Sequence, residues 1–163
     1  AKDVKEEFGN KIKYILDGGT CAIGIESTII DLTGRPSILR LGGLDILKIQ
    51  KALDFKINVS ISPKKKIAPG QTRLHYSPGI PLKMNITKPN KDDAFILIKI
   101  RKKKSKNYFY LSKKNNLQEA AKNLYSCLRL IKNSGYKSIA IEKIPIKGIG
   151  RAINDRLNRA SKF

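Results

Sequence analysis

The sequence predicts an α/β protein built of two pieces joined by an extended linker. Three observations carry this. Short β-branched or apolar runs alternate with helical periodicity on both sides of residue 60. Residues 60 to 81, SISPKKKIAPGQTRLHYSPGIP, break that alternation with a basic, Pro/Gly-rich composition. Beyond them, strand, helix, strand and helix follow in turn, which implies parallel pairing through a helical crossover. The expected division is residues 1–57, a linker over 58–82, and a second α/β unit over 83–163.

Taken in order, residues 3–10 (DVKEEFGN) read as a short helix ended by Gly9. KYILDGG, residues 13–19, is an apolar run stopped by two glycines and reads as a strand. IESTIIDLTG (25–34) and PSILRLGG (36–43) read as a strand, a turn signal and a returning strand. Residues 44–54 place apolar side chains at 46, 47, 49 and 53, which fits an amphipathic helix. In the second piece AFILIKI (94–100) is nearly continuous apolar sequence and suits a buried strand. RKKKSKN is a charged turn, and NYFYLS (107–112) is its β-rich return. The clearest helix is NNLQEAAKNLYSCLRLIKNSG. Leu117, Ala120, Ala121, Leu124, Leu128 and Ile131 form one stripe, Asn116 with Glu119 resembles a capping box, and Gly135 is a stop. KSIAIEKI (137–144) is a strand. GIGRAINDRLNRASK (148–162) is a final helix with Ile149, Ile153 and Leu157 on one face.

Composition narrows the function. Hydrophobic content is 40 %, enough for a core, and no apolar run approaches the roughly 20 residues of a membrane span. No membrane partner is expected. The opening AKDVKEEFG is charged and is not a signal peptide; it lacks an initial Met, so a fragment or processed product is expected. Cys21, Cys127 and a single His offer no zinc pattern, so no metal site is expected, and two reduced thiols suit a cytoplasmic protein. The net charge of +21 points to a polyanion such as nucleic acid or nucleotide phosphate. The abundance of Lys beside Ile and Asn is equally what an AT-rich genome produces. Arg101 to Lys104 read as a solvated hairpin tip, with an RNA contact as the alternative.

Candidate chemistry gathers in two places. If the first turn centres on Thr33–Gly34, Ser27 faces Arg40 across the hairpin, and hydroxyl and guanidinium leave the same face. That pair can clamp an anion: Arg forks two oxygens and Ser adds a short bond. A half-buried Ser beside a surface Arg is the plainer reading. The second place is APGQTRLHYSPGIP, residues 68–81, which packs Arg73, His75 and Tyr76 into what composition calls a linker. Glu26 and Asp31 fall on opposite faces and do not form an acid/base pair. No strand–turn–helix elbow exposes Ser27 as a nucleophile for His75. Gly148-Ile149-Gly150 opens the last helix and reads as a helix-entry turn, with an anion site as the alternative.

These stretches together resemble a known family. DGG, GIESTIIDLTG and ILRLGG look like the closing half of a YrdC-type domain, and PGQTRLHYSPGIPL looks like the linker of the two-domain L-threonylcarbamoyladenylate synthases. NLYSCLRLIKNSGYKSIAIEKIP and GIGRAINDRLNRAS are similar to their C-terminal domain. The resemblance implies the C-terminal half of a YrdC-type α/β domain, an extended linker, then a small Rossmann-like α/β domain. It implies a nucleotidyltransferase that makes threonylcarbamoyl-AMP from L-threonine, bicarbonate and ATP, releasing pyrophosphate, for threonylcarbamoyladenosine in tRNA. ATP is then a substrate, Mg²⁺ accompanies its phosphates, and no tightly bound cofactor is expected. Further partners would be tRNA, as double-stranded RNA, and the downstream threonylcarbamoyl transferase machinery. Ser27, Arg40 and Tyr76 match positions lining the nucleotide and substrate cleft, with Thr28, Arg73 and His75 beside them. The linker would close over the cleft and exclude water. Two departures stand out. Leu41 replaces the proline often found after the Arg, and the basic Lys-Arg and Ser-x-Asn segments of the first half are absent, so the chain alone is expected to be inactive. A non-catalytic basic RNA-binding module is the alternative, and an inactive relic with an opened sheet edge a third.

Overall fold

A computed structural model describes residues 1–61, 67–72 and 76–162. It is a mixed α/β structure with four α-helices among the described residues. The first elements are helix α1 (Lys2–Phe8), strands β1 (Ile29–Asp31) and β2 (Ser37–Arg40), helix α2 (Ile46–Leu53) and strand β3 (Asn58–Val59). β4 (Leu82–Lys83), β5 (Asp93–Leu97), β6 (Tyr108–Tyr110), helix α3 (Leu117–Asn133), β7 (Ser138–Ile141) and helix α4 (Gly150–Ala160) follow.

β1 and β2 are antiparallel, and β3 pairs parallel to β2, giving a sheet of order β1-β2-β3. Its small core is Ile38, Ile46, Ile49 and Ile57, so the buried face of α2 packs with Ile38 of β2 and with Ile57, just ahead of β3. Asp45 caps α2 by accepting from the Leu47 amide at 3.1 Å.

The second sheet is four-stranded and all parallel, in the order β4-β7-β5-β6. Every residue of β5 is buried, as a continuous apolar run in a parallel sheet requires. Ala94, Ile96, Ile139 and Ile141 point to one face, where α3 supplies Ala120, Ala121, Leu124, Leu128 and Ile131 and α4 supplies Ala152, Ile153 and Leu157. Each fully buried Leu or Ile here contributes roughly 1.5–3 kcal/mol. Phe95, Leu97 and Ala140 point to the other face, with Tyr108 and Tyr110. Gly150 is a packing glycine, because a Cβ there would lie 2.1 Å from the Pro145 carbonyl oxygen.

Four expectations need correction. Residues 13–19 form no strand: Tyr14 and Leu16 are 87 % and 97 % exposed, and an extended segment becomes a strand only where a neighbour takes its hydrogen bonds. The first turn is longer than a Thr33–Gly34 turn. Asp31 pairs with Ser37 and Ile29 with Arg40, with an irregularity between Ile29 and Ile30, because Asp31 accepts from both the amide and the hydroxyl of Thr33 and widens the turn. β6 does not return as a hairpin but runs parallel to β5, so Arg101–Lys104 lie in a crossover and not at a hairpin tip. The capping box is relayed: Asn116 accepts from the Gln118 and Glu119 amides, but Glu119 accepts from the Ser112 hydroxyl, which itself accepts from the Asn116 amide.

Candidate functional site

The segment 24–28 brings the two sheets together. Gly24, at φ +78, lies on the backbone of α3: a Cβ there would sit 2.4 Å from Lys122 Cα, so only glycine allows this approach. Gly42 does the same across the hairpin, where a Cβ would meet Ser27 C and Thr28 N at 2.2 Å. The Gly43 amide donates to the Glu26 carbonyl at 3.0 Å and the Thr28 hydroxyl to the Leu44 carbonyl at 2.9 Å. Ser27 is thereby pinned between two fixed neighbours.

Arg40 reaches Ser27 with two bonds, Nη2 to Oγ at 3.1 Å and Nε to the carbonyl oxygen at 3.0 Å. The contact comes from the length of the guanidinium arm; the residue directly opposite Arg40 is Ile29. No carboxylate pairs with Arg40 among the described residues. Tyr76 closes on the same place. A Cβ on Gly70 would lie 2.7 Å from the Tyr76 hydroxyl and 3.3 Å from Arg40 Cδ, so the two side chains converge above that glycine. Ser27, Arg40 and Tyr76 are therefore neighbours, while Thr28 spends its hydroxyl on the backbone. Arg73 and His75 lie outside the described residues.

Tyr76 holds an unusual backbone, with φ 64. An aromatic residue in the left-handed region is rare and persists only where its surroundings over-determine it. Here its ring stacks on Tyr125 of α3, centroids 5.7 Å apart, and the Arg156 guanidinium of α4 lies 5.3 Å from the ring centre. Burial pushes the hydroxyl up to about 12 despite the opposing Arg156 charge. Tyr76 is thus a neutral donor, hydrogen-bonded to Glu26.

Glu26 is the centre that sequence reasoning missed. Its Oε2 accepts from Arg156 Nε at 3.1 Å, Arg156 Nη2 at 3.0 Å and the Tyr125 hydroxyl at 3.2 Å. Burial alone would raise its pKa, but its own backbone amide and the Arg156 charge outweigh that and hold the carboxyl below 4.5. The chain extends to Asp155, which takes Arg156 Nη1 at 3.0 Å and Arg159 Nε at 3.2 Å. Arg159 ties down the segment between β3 and β4 by donating to the carbonyls of Thr72 at 3.0 Å and Ile61 at 2.6 Å. Buried Gln71 adds a second tie: Oε1 accepts from the Ile67 and Ala68 amides, and Nε2 donates to the Leu39 carbonyl at 3.1 Å. Beside this cluster opens a cleft of about 350 Å³ lined by Glu26, Tyr76, Ser77, Tyr125, Arg129 and Lys132 among others. It touches the Ser27–Arg40 place through Glu26 and Tyr76 only.

At Gly148–Gly150 the carboxylate of Asp45 lies 3.4 Å from where a Gly148 Cβ would be, and α4 has no side-chain cap. This is a helix entry next to an acid, poorly suited to an anion. Cys127 is buried, with its thiol pushed up to about 12 by burial, and Cys21 is exposed; both are free. Among the described residues no helix is long and apolar enough to cross a membrane.

Comparison with known proteins places the chain in a family. Residues 44–162 match the family model described as threonylcarbamoyl-AMP synthase, C-terminal domain, and residues 1–42 match one described as telomere recombination. A threonylcarbamoyl-AMP synthase of Pyrococcus abyssi is 32 % identical over all of this chain and 53 % of its own length. Enzymes of the same name from Schizosaccharomyces pombe and Bacillus subtilis are 28 % and 27 % identical, with 48 % and 52 % of their lengths covered. The crystal structure of P. abyssi Sua5 complexed with L-threonine superimposes with a TM-score of 0.83 at 31 % identity, over 99 % of this chain and 53 % of that one. A P. abyssi Sua5 variant with an adjacent His–Tyr pair replaced by alanines gives 0.76 at 30 % identity, over 97 % of this chain and 51 % of that one. The chain spans about half the length of the curated relatives it matches. By the match over residues 44–162, the chain belongs to the threonylcarbamoyl-AMP synthase family and corresponds to the C-terminal portion of its relatives.

Proposed function

We propose that these residues supply one wall of the cleft in which threonylcarbamoyl-AMP is made from L-threonine, bicarbonate and ATP. The reading divides the chain into the closing part of a YrdC-type catalytic domain, a linker that acts as a lid, and a Rossmann-like domain. The observation that carries it is the Ser27–Arg40–Tyr76 convergence: a guanidinium oriented by two bonds, without an acidic partner among the described residues, beside a neutral phenol that Glu26 holds in place. Such a place suits a phosphate or carboxylate oxygen. The threonine amine adds to the carbon of bicarbonate, and water leaves to give the carbamate. A carbamate oxygen then attacks the α-phosphorus of ATP, and pyrophosphate leaves. Arg40 would stabilise charge on the phosphoryl oxygens, and Tyr76, over-determined by Tyr125 and Arg156, would shield the mixed anhydride from water.

L-Threonine enters by analogy with the ligand of the P. abyssi structure. His75–Tyr76 is a His–Tyr dipeptide, the same two residue types altered in the P. abyssi variant, and we take the two pairs as counterparts. Among the described residues no cluster of three His, Cys, Asp or Glu could hold a metal ion. We assign Mg²⁺ to the nucleotide phosphates. The product would pass in the cytoplasm to the machinery that modifies tRNA.

The chain alone should bind ATP weakly and turn nothing over. Fusing the N-terminal half of the P. abyssi enzyme ahead of Ala1 should give pyrophosphate release that needs ATP, threonine and bicarbonate together. Arg40→Ala should cut that release by about tenfold or more, the scale of one lost charge-stabilising donor. A cooperatively melting fusion that releases none, or releases it without threonine, refutes the reading.

A further inference from the structure

Parallel sheets are ordinarily covered by helices on both faces. In the β4-β7-β5-β6 sheet, the face away from α3 and α4 carries no helix among the described residues. Phe95 and Tyr108 meet edge to face on it, centroids 5.8 Å apart, and Tyr110 stands two residues further along edge strand β6. Over Phe95 and Tyr108 opens a hollow of about 410 Å³, walled by Lys88, Lys91, Arg101 and Lys103. A second hollow, of about 670 Å³, shares Lys91, Ser105 and Asn107 with the first and adds Lys106 and Lys137. Asp92 is the one carboxylate on these walls, since Asp93 turns inward to the Asn90 amide and the Ser138 hydroxyl.

Arg101 is held from behind by Glu142 Oε2 at 2.6 Å, and its Nε is buried with no acceptor among the described residues. Residues 88 to 106 carry eight Lys or Arg against Asp92 and Asp93. Genome bias scatters lysine along a sequence; it gives no reason for six cations to line two joined hollows, the first of them beside the half-buried ring of Tyr108.

We propose that this face binds a single RNA strand, phosphates along the Lys and Arg walls and an unpaired base against Tyr108. Lysine suits phosphate as a point charge, and an unpaired base offers the flat partner a ring needs. An acidic peptide would satisfy the cations but leave Tyr108 unmatched. The proposal goes beyond the synthase reading and uses none of Ser27, Arg40 or Tyr76.

The test is fluorescence anisotropy of a labelled uridine oligonucleotide with the full chain, without ATP or threonine, across a salt series. Binding should weaken with salt, with a log–log slope of about −0.7 per phosphate contacted. Lys88→Glu with Lys103→Glu should weaken binding about tenfold or more and flatten that slope. Lys48→Glu with Lys51→Glu, the same charge change on exposed α2, should do much less. Tyr108→Ala should weaken binding by about fivefold or more and leave the slope unchanged, as loss of one stacked base would. Equal losses from the two charge reversals, an inert Tyr108→Ala, absent binding, or polyglutamate competing as well as RNA would each overturn the proposal. Melting curves of every variant separate lost binding from lost fold.

Discussion

Gly42 faces carbonyl and amide atoms that cannot move aside. A methyl group there meets the Ser27–Thr28 peptide at 2.2 Å, so Gly42→Ala must push the hairpin apart. Overpacking of this kind costs about 1–3 kcal/mol. It should lower the melting temperature and, in the fused enzyme, weaken ATP binding, because Ser27 no longer meets Arg40. Unchanged melting would mean that the backbones are further apart than described. Glu26 makes a different prediction. Its carboxyl is held below its ordinary value of 4.5, so the stability it adds is present above about pH 4.5 and is lost as pH falls through its lower folded value. Glu26→Gln should flatten that acid limb. It should also cost about 2 kcal/mol at neutral pH, less than the roughly 3–5 of a fully buried pair, because Glu26 keeps a third of its surface while Arg156 keeps 1 %. Urea titrations at two pH values would separate the two effects, and an acid limb identical to wild type would show that Glu26 is not the titrating group.

Among elements, the segment between β3 and β4 is defined by what holds it. Gln71 attaches it to β2, and Arg159 attaches it to α4. Gln71→Ala and Arg159→Met should each speed tryptic cleavage between residues 60 and 80 severalfold, read by mass spectrometry, with little change in helix content. Cleavage at the wild-type rate would mean that the ties do not govern access. These ties also mark where sequence reading stops. The stripe of α3 and the face of α4 were legible because helical burial repeats every three to four residues, whereas in α2 only Ile46 and Ile49 of the four expected positions are buried and Leu47 and Leu53 are exposed. The Ser27–Arg40 proximity was legible, though by a register the structure does not keep. Glu26 was not: its partners Tyr125 and Arg156 lie 99 and 130 residues away, and no local pattern encodes such a distance. The parallel course of β6 was hidden too, because a charged ten-residue connection, Ile98–Asn107, is compatible with a hairpin or a crossover.

For the whole molecule, stability should be unevenly spread. Residues 1 to 14 are all exposed, including Val4, Phe8, Ile12 and Tyr14, whereas β5 and β7 lie inside. Hydrogen exchange should label the α1 amides at the earliest times and those of β5 and β7 only on global unfolding. Slow exchange in α1 would point to contacts made in solution by a second copy.

The grip on Tyr76 has a kinetic meaning. A loop tip left to itself rearranges in nanoseconds to microseconds. Residue 76 is clasped between Tyr125 and Arg156, one from each helix packed on the parallel sheet. Its excursions must first break the stack on Tyr125 and the contact with Arg156, so they are slower than those of a free tip. If the proposed lid holds in the fused enzyme, release of that clasp is a step that can limit turnover apart from the bond-making beneath it.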